Sequence, residues 1–323
     1  MEDTGQDTAG AITRGAARKP GAEPFVAGLV GVLGGLLGLA PWLATGAQLP
    51  LQNLWGQETL PDDMPLALLP LSQYRSTTIV VLLTVGASVT GIALRAWGPA
   101  RRGRAAAYAL GGVLLVHATA AVQAFAVLSN GLAPGPRSTI YLAGLLGGTI
   151  AAIAAGIVAL LLFAARSRGA VALGAGLMAV PLASWLAAAA AFAAGPEGLP
   201  SFLAIVWRWL PPVLVGAALA WCGFKPASRL WVWAADLAFL WLVPALFTSV
   251  NYVLGTRAYL GNFAEMAILS RQILAATLGP AGGAGPTVLL ALGIGLAGAL
   301  ALLLRRRLAS RPGTTAADVG AAP

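Results

Sequence analysis

Cysteine and histidine each occur once in 323 residues, as Cys222 and His117, and lysine occurs only twice. A single cysteine excludes an intrachain disulfide and a cysteine metal cage. A single histidine excludes bis-histidine haem ligation and multi-histidine metal centres. No metal site and no cofactor is therefore expected. Walker loops, nucleophile elbows, zinc signatures and glycine-rich dinucleotide fingerprints are missing too, which sets ATP hydrolysis by this chain aside. Charge itself is scarce: Asp, Glu, Lys and Arg make up 10% of the chain, half or less of what a soluble domain carries.

Hydrophobic residues fill the space, at 58% of the chain. They fall into eight apolar stretches: 24–45, 76–97, 105–128, 138–165, 170–194, 201–222, 229–253 and 285–305. Each is about 20 residues or longer, enough to cross a hydrocarbon layer roughly 30 Å thick at about 1.5 Å per residue. The pattern predicts an all-α integral membrane protein, a bundle of about eight transmembrane helices with two structured outer segments. Residues 1–23 carry mixed charge without an apolar core and read as a disordered tail, not a cleaved signal; 306–323 read as a second, basic tail.

The basic residues sort by gap. Fifteen of the 20 Lys and Arg lie in 1–23, 95–104, 166–168, 225–229 and 305–323. The alternate gaps hold Arg75, Arg137, Arg208, Arg257 and Arg271 against Glu58, Asp62, Asp63, Glu197 and Glu265. By the positive-inside rule this places both termini in the cytoplasm and the chain in the plasma (inner) membrane. The net charge of +9 is thereby assigned to orientation and to anionic headgroups at the inner leaflet. No basic run is interleaved with aromatics as a base-stacking surface requires, so nucleic acid is not an expected partner. Heavy use of Ala, Gly and Arg in place of Lys is associated with GC-rich bacterial genomes.

Two outer segments stand out. Residues 46–75 are punctuated by Pro50, Pro61, Pro65 and Pro70, and their apolar residues suggest a stretch lying at the headgroups. Within 256–284, Tyr259, Phe263, Met266, Ile268, Leu269 and Ile273 roughly trace one helical face, predicting a short interfacial helix before a Gly/Pro hinge. Glycines three or four apart in the first span (Gly28, Gly31, Gly34, Gly35, Gly38), the fourth (Gly144, Gly147, Gly148) and the eighth (Gly293, Gly295, Gly298) predict close helix packing within the chain; homo-oligomerisation or a protein partner is the other use of such faces. The long outer segments follow spans one and seven, which gives no support for a duplicated transporter fold.

A few polar residues sit where lipid penalises them. Asp236 lies about two turns into span seven from the cytoplasmic side. A carboxylate at that depth costs roughly 2.5–3.5 kcal/mol on insertion scales, so it must face protein or water. It reads either as a proton or cation site or as a hydrogen-bonded tie to a neighbouring helix. His117 and Gln123 occupy mid-span three, six residues apart and so on different faces. Arg208 lies near the outer end of span six between Trp207 and Trp209, where an aromatic belt and snorkelling account for it. If their faces converge, Asp236, His117 and Arg208 form a polar column. In the outer loop, Asp62 and Asp63, with Glu58, are similar to acidic residues in the first outer loop of multi-spanning lipid-linked glycosyltransferases. That resemblance covers two residues and implies a carboxylate acting as base or metal ligand.

The leading expectation is non-enzymatic: a permease-like transporter, or the membrane subunit of a larger assembly. In the transporter version Asp236 is the coupling or substrate-binding carboxylate, His117 and Gln123 line the route, Arg208 meets an anionic group, and Pro212 and Pro244 break helices along the path. The rival is an outer-face enzyme acting on a lipid-linked substrate through Asp62 or Asp63.

Overall fold

The computed structural model describes residues 22–195, 198–256, 261–279 and 282–309. The expected tails lie outside these apart from their inner ends, which are helical, and so do Glu197, Arg257 and Tyr259. Among the described residues there are nine α-helices: α1 (Glu23–Ala44), α2 (Ser76–Trp97), α3 (Arg102–Gly131), α4 (Pro136–Ala164), α5 (Arg168–Ala194), α6 (Phe202–Cys222), α7 (Arg229–Gly255), α8 (Phe263–Leu278) and α9 (Ala284–Ala309). Eight of them, all but α8, are long and apolar enough to cross a membrane.

Local chemistry explains where they stop. Pro136 starts α4 at a position where its missing N–H costs nothing. The Ser167 hydroxyl caps α5 by accepting from the Ala170 amide at 3.1 Å. Gly98, in the left-handed conformation at φ 62°, closes α2. Prolines inside helices do not stop them: α6 runs through Pro211 and Pro212, and α7 through Pro244. The broken helices expected at Pro212 and Pro244 are therefore not present.

Helices α1 to α4 form the more tightly joined half. The glycine face of α1 is turned into the chain. A side chain at Gly31 would strike the Ala109 carbonyl of α3, and one at Gly34 or Gly38 would strike α2 around Gly86. Backbones approach this closely only where Cβ atoms are missing, and the dispersion attraction between them replaces the hydrophobic force that lipid would remove. Helix α2 is the buried axis of the molecule: 67% of its most apolar window is inside, against 17% of that of α9. Helices α5, α6, α7 and α9 make the second half, where α9 lies on α6 with Gly298 against Ala220 and Gly216 against Ile294.

Residues 45–75 lie only partly on the surface as expected: Leu51, Leu60 and Leu66 are 51%, 69% and 57% exposed, but other leucines turn inward. The segment folds into the open end of the first half, where Leu49, Leu69 and Leu71 are at most 1% exposed and join a core with Leu39, Leu82, Leu83 and Leu128. Short antiparallel pairings brace the segment, Leu49 to Pro65 and Ala67 to Ala47 within it, and Gly56 to Gly131 at the end of α3. Gln123 clasps it from α3: the side-chain oxygen accepts from the Leu68 amide at 2.8 Å and the nitrogen donates to the Leu66 carbonyl at 2.9 Å. From α4, Tyr141 donates to Gln52 at 2.6 Å and accepts from the Gln73 amide at 3.2 Å. Leu49, Leu69 and Leu71 thus find protein partners that a headgroup-lying stretch would lack.

The second outer segment holds α8, started by Asn262, whose side chain accepts from the Glu265 amide at 3.3 Å. Met266, Leu269, Ser270 and Ile273 form its half-covered face, with Ser270 3.0 Å from Ser249 of α7. Phe263 and Ile268 are 67% and 51% exposed, with Phe263 at the edge of a groove.

The opposite end of the bundle is basic. Arg95 of α2 donates to the Ala165 carbonyl past the end of α4, and Arg229 donates to the Cys222 carbonyl that ends α6. Arg95 and Arg168 lie 5.5 and 5.4 Å from the Trp221 ring centre. Each arginine meets a helix C-terminus or an aromatic face, both of which favour a cation.

Candidate functional site

Asp236 lies on α7 and is 0% exposed. Neither carboxyl oxygen has a hydrogen-bond partner. Its room comes from Gly176 of α5, where a methyl group would come within 2.7 Å of the carboxyl carbon. The expected tie to a serine or threonine of a neighbouring helix is not made. A buried carboxyl without partners is unfavourable on its own, so the fold carries this group without gaining stability from it.

The same seam widens toward the loop end. Leu240 and Pro244 follow Asp236 on α7 at four-residue steps, about 6 and 12 Å along the axis. Val180, Ala183 and Ser184 continue the Gly176 face of α5. These residues, with Trp207, Arg208, Pro211 and Pro212 of α6, line a cavity of about 380 Å³. The prolines cannot donate to the carbonyls four residues earlier, so the Trp207, Arg208 and Leu240 carbonyls lose their usual backbone donors. Ser184, Thr248, Thr277 and Thr287 add hydroxyls. The Trp207 ring nitrogen is buried and unpartnered. Arg208 is exposed at the rim with its guanidinium 5.4 Å from the Trp209 ring centre. The lining of the cavity therefore includes one cation, one unmet donor and three residues whose carbonyls lack a donor four residues on, and Asp236 lies one turn from its Leu240.

Two of the four intramembrane candidates share this seam, Asp236 and Arg208. His117 and Gln123 do not. They sit on α3, whose main packing partners are α1, α2 and α4. His117 is 1% exposed with its Nε2 unpartnered, and Gln123 is occupied with the clasp on residues 66 and 68. The three-level column of Asp236, His117 and Arg208 is accordingly reduced to two members. Glu58, Asp62 and Asp63 are exposed, and Asp62 and Asp63 form a single 3-10 turn. They line neither this cavity nor the larger groove described below. Among the described residues no three His, Cys, Asp or Glu side chains cluster as a metal site.

Sequence reasoning missed Gly176, Ser184 and Trp207 as neighbours of the site. Gly176 carries no distinguishing signal, since a glycine that makes room for a carboxyl reads like one that makes room for a helix. The prolines of α6 and α7 were the usable signal, because a proline inside a long apolar helix frees a carbonyl. No family model, curated protein or solved structure matches the chain.

Proposed function

We propose that the protein is a multi-pass protein of the plasma membrane, with its basic end and both termini in the cytoplasm, acting as a permease-like transporter through the α5–α6–α7 seam. The observation that carries this is Asp236: a fully buried carboxyl, without hydrogen-bond partners, one turn from Leu240 in the lining of a cavity that has Arg208 at its rim. Structural ties are hydrogen-bonded. A group held without compensation in an apolar helix is the kind retained for what it binds. Arg208 at the cavity rim suits an anionic group on a small polar solute, and the freed carbonyls suit its N–H or O–H donors. Asp236 then serves as the coupling or substrate-binding carboxyl, reached when the Leu240 level opens. The concentration of arginine at the other end supports the orientation. The outer-face enzyme reading is left with three solvated acids that lie outside both cavities.

Cysteine accessibility tests this directly. In a Cys222→Ser background, Thr248→Cys should react with an impermeant maleimide in right-side-out vesicles. Leu240→Cys, one turn from Asp236, should react from both sides as the seam opens alternately, and Asp236→Asn should bias that labelling to one side. Leu240→Cys protected from both faces would make the seam a static core and end the transport reading.

A further inference from the structure

A second cavity, of about 730 Å³, lies outside the transport seam, as a lateral groove floored by α2 and walled by α4, α7 and α8. Its α4 wall bears Gly144 and Gly148, where an added Cβ would meet nothing within 4 Å among the described residues. The spacing of these glycines predicts packing against a helix, and the face instead borders open space. The trough follows α4 from Arg137 to Ala155, about 27 Å at about 1.5 Å per residue, and its lining is largely apolar.

The loop end of the groove is different. Gln73, 3% exposed, lines it with a buried side-chain nitrogen that has no hydrogen-bond partner. Its backbone amide is already taken by Tyr141, so the unmet N–H groups are those of the side chain. Arg137 stands at the mouth, exposed and without a hydrogen bond or ion pair among the described residues. Asn53 completes the rim, its own side-chain N–H spent on Tyr74 at 2.8 Å. The head of the groove thus offers a free cation and an unmet donor, and the trough below offers about 27 Å of apolar wall.

We infer that this groove is a binding site for a phosphate-headed lipid of the outer leaflet, with its phosphate on Arg137 and Gln73 and one acyl chain along Gly144 and Gly148. Charge-assisted bonds from a guanidinium to phosphate oxygens are among the stronger polar contacts. A phosphate oxygen entering the groove would give the Gln73 amide the partner it lacks among the described residues. The small side chains of α4 leave the width a chain needs. This inference rests on the membrane-spanning reading but not on transport, since it uses no residue of the α5–α6–α7 cavity.

Native mass spectrometry of the detergent-purified chain, titrated with phosphatidylglycerol and with diacylglycerol of the same chains, tests it. The unaltered protein should retain one phosphatidylglycerol per chain, on the order of tenfold more tightly than the diacylglycerol. Gly144→Leu with Gly148→Leu should abolish that binding with an unchanged melting temperature, because the new side chains enter open space. Arg137→Gln, at an exposed position, should reduce the preference to about threefold or less. Equal retention of both lipids, unchanged by either variant, would reduce the bound molecules to annular lipid and overturn the inference. A polypeptide recovered at one per chain in place of lipid would overturn it too, making the groove a protein interface. Loss of lipid with Leu240→Cys labelling intact would separate this site from the transport seam.

Discussion

Glycine serves opposite ends at two places in the molecule, one in each half. In α1 to α4 glycine removes space: α1 is pressed onto α3 and α2 until no side chain fits at Gly31, Gly34 or Gly38. In the second half Gly176 creates space, and what occupies it is an unpartnered carboxyl. The first half folds its own loop into its core and borders the larger groove through α2 and α4, and the second keeps a smaller cavity at the same end. Among the described residues, the buried carboxyl left without a partner belongs to the second half.

Substitutions can break this contrast. The largest expected effect is from Gly34→Leu, which drives a side chain into Thr90 and the Gly86 carbonyl. Overpacking of this kind costs about 1–3 kcal/mol and more where backbone must move. The protein should lose its monodisperse peak in size-exclusion chromatography, while Gly144→Leu leaves it intact. If both variants behave alike, the two glycine patterns are not distinct.

Asp236→Leu should do the reverse of damage to the fold. Replacing a buried, unpartnered carboxyl by an apolar side chain of similar size removes a penalty of about 1–3 kcal/mol, so the melting temperature should rise by several degrees as function is lost. A falling melting temperature would mean that Asp236 has a partner and is a tie after all.

Gln123→Ala removes both bonds that hold residues 66 and 68. A loss of about 1–3 kcal/mol is expected, confined to the loop end. Amide hydrogen exchange should quicken in 45–75 and stay unchanged in α5 to α7. Exchange that quickened throughout would show that the halves are not separable. The smallest effect belongs to Asp62→Asn with Asp63→Asn. Both side chains are exposed, so stability should stay within about 0.5 kcal/mol, and Leu240→Cys labelling should be unchanged. Loss of cellular function in this pair alone would return the outer-face enzyme to consideration.

Much of the architecture was legible because one term dominates it. Long apolar runs have few alternatives to helix, and the expected stretch 76–97 coincides with α2. The amphipathic pattern of 263–273 likewise marks α8, with Met266, Leu269 and Ile273 on its covered face. Side-chain direction was not legible in the same way. A leucine buried in protein and one buried in lipid look identical in composition. The sequence therefore suggests headgroups for the apolar residues of 46–75, where the structure encloses Leu49 in the core of the first half and leaves Leu51 half exposed. Gln123 reads as a route-lining residue because its partners are backbone groups, which leave no trace in residue identity. The site was half visible: Asp236 and Arg208 stand out by their cost in an apolar helix, but that they share a seam depends on which helices are neighbours. Gly144 and Gly148 have the spacing of a packing face without the partner, and spacing carries no information about what stands opposite.

The clasp on residues 45–75 also orders events during synthesis. Gln52 waits for Tyr141, 89 residues downstream, and Leu68 waits for Gln123, 55 residues downstream. At about 5–20 residues per second the wait for Tyr141 is roughly 4 to 18 s. Throughout it, Leu49, Leu69 and Leu71 have no finished core to enter. The nascent chain must therefore carry a leucine-rich loop without its final partners until α3 and α4 arrive, and a chaperone would meet this segment before the first half is complete.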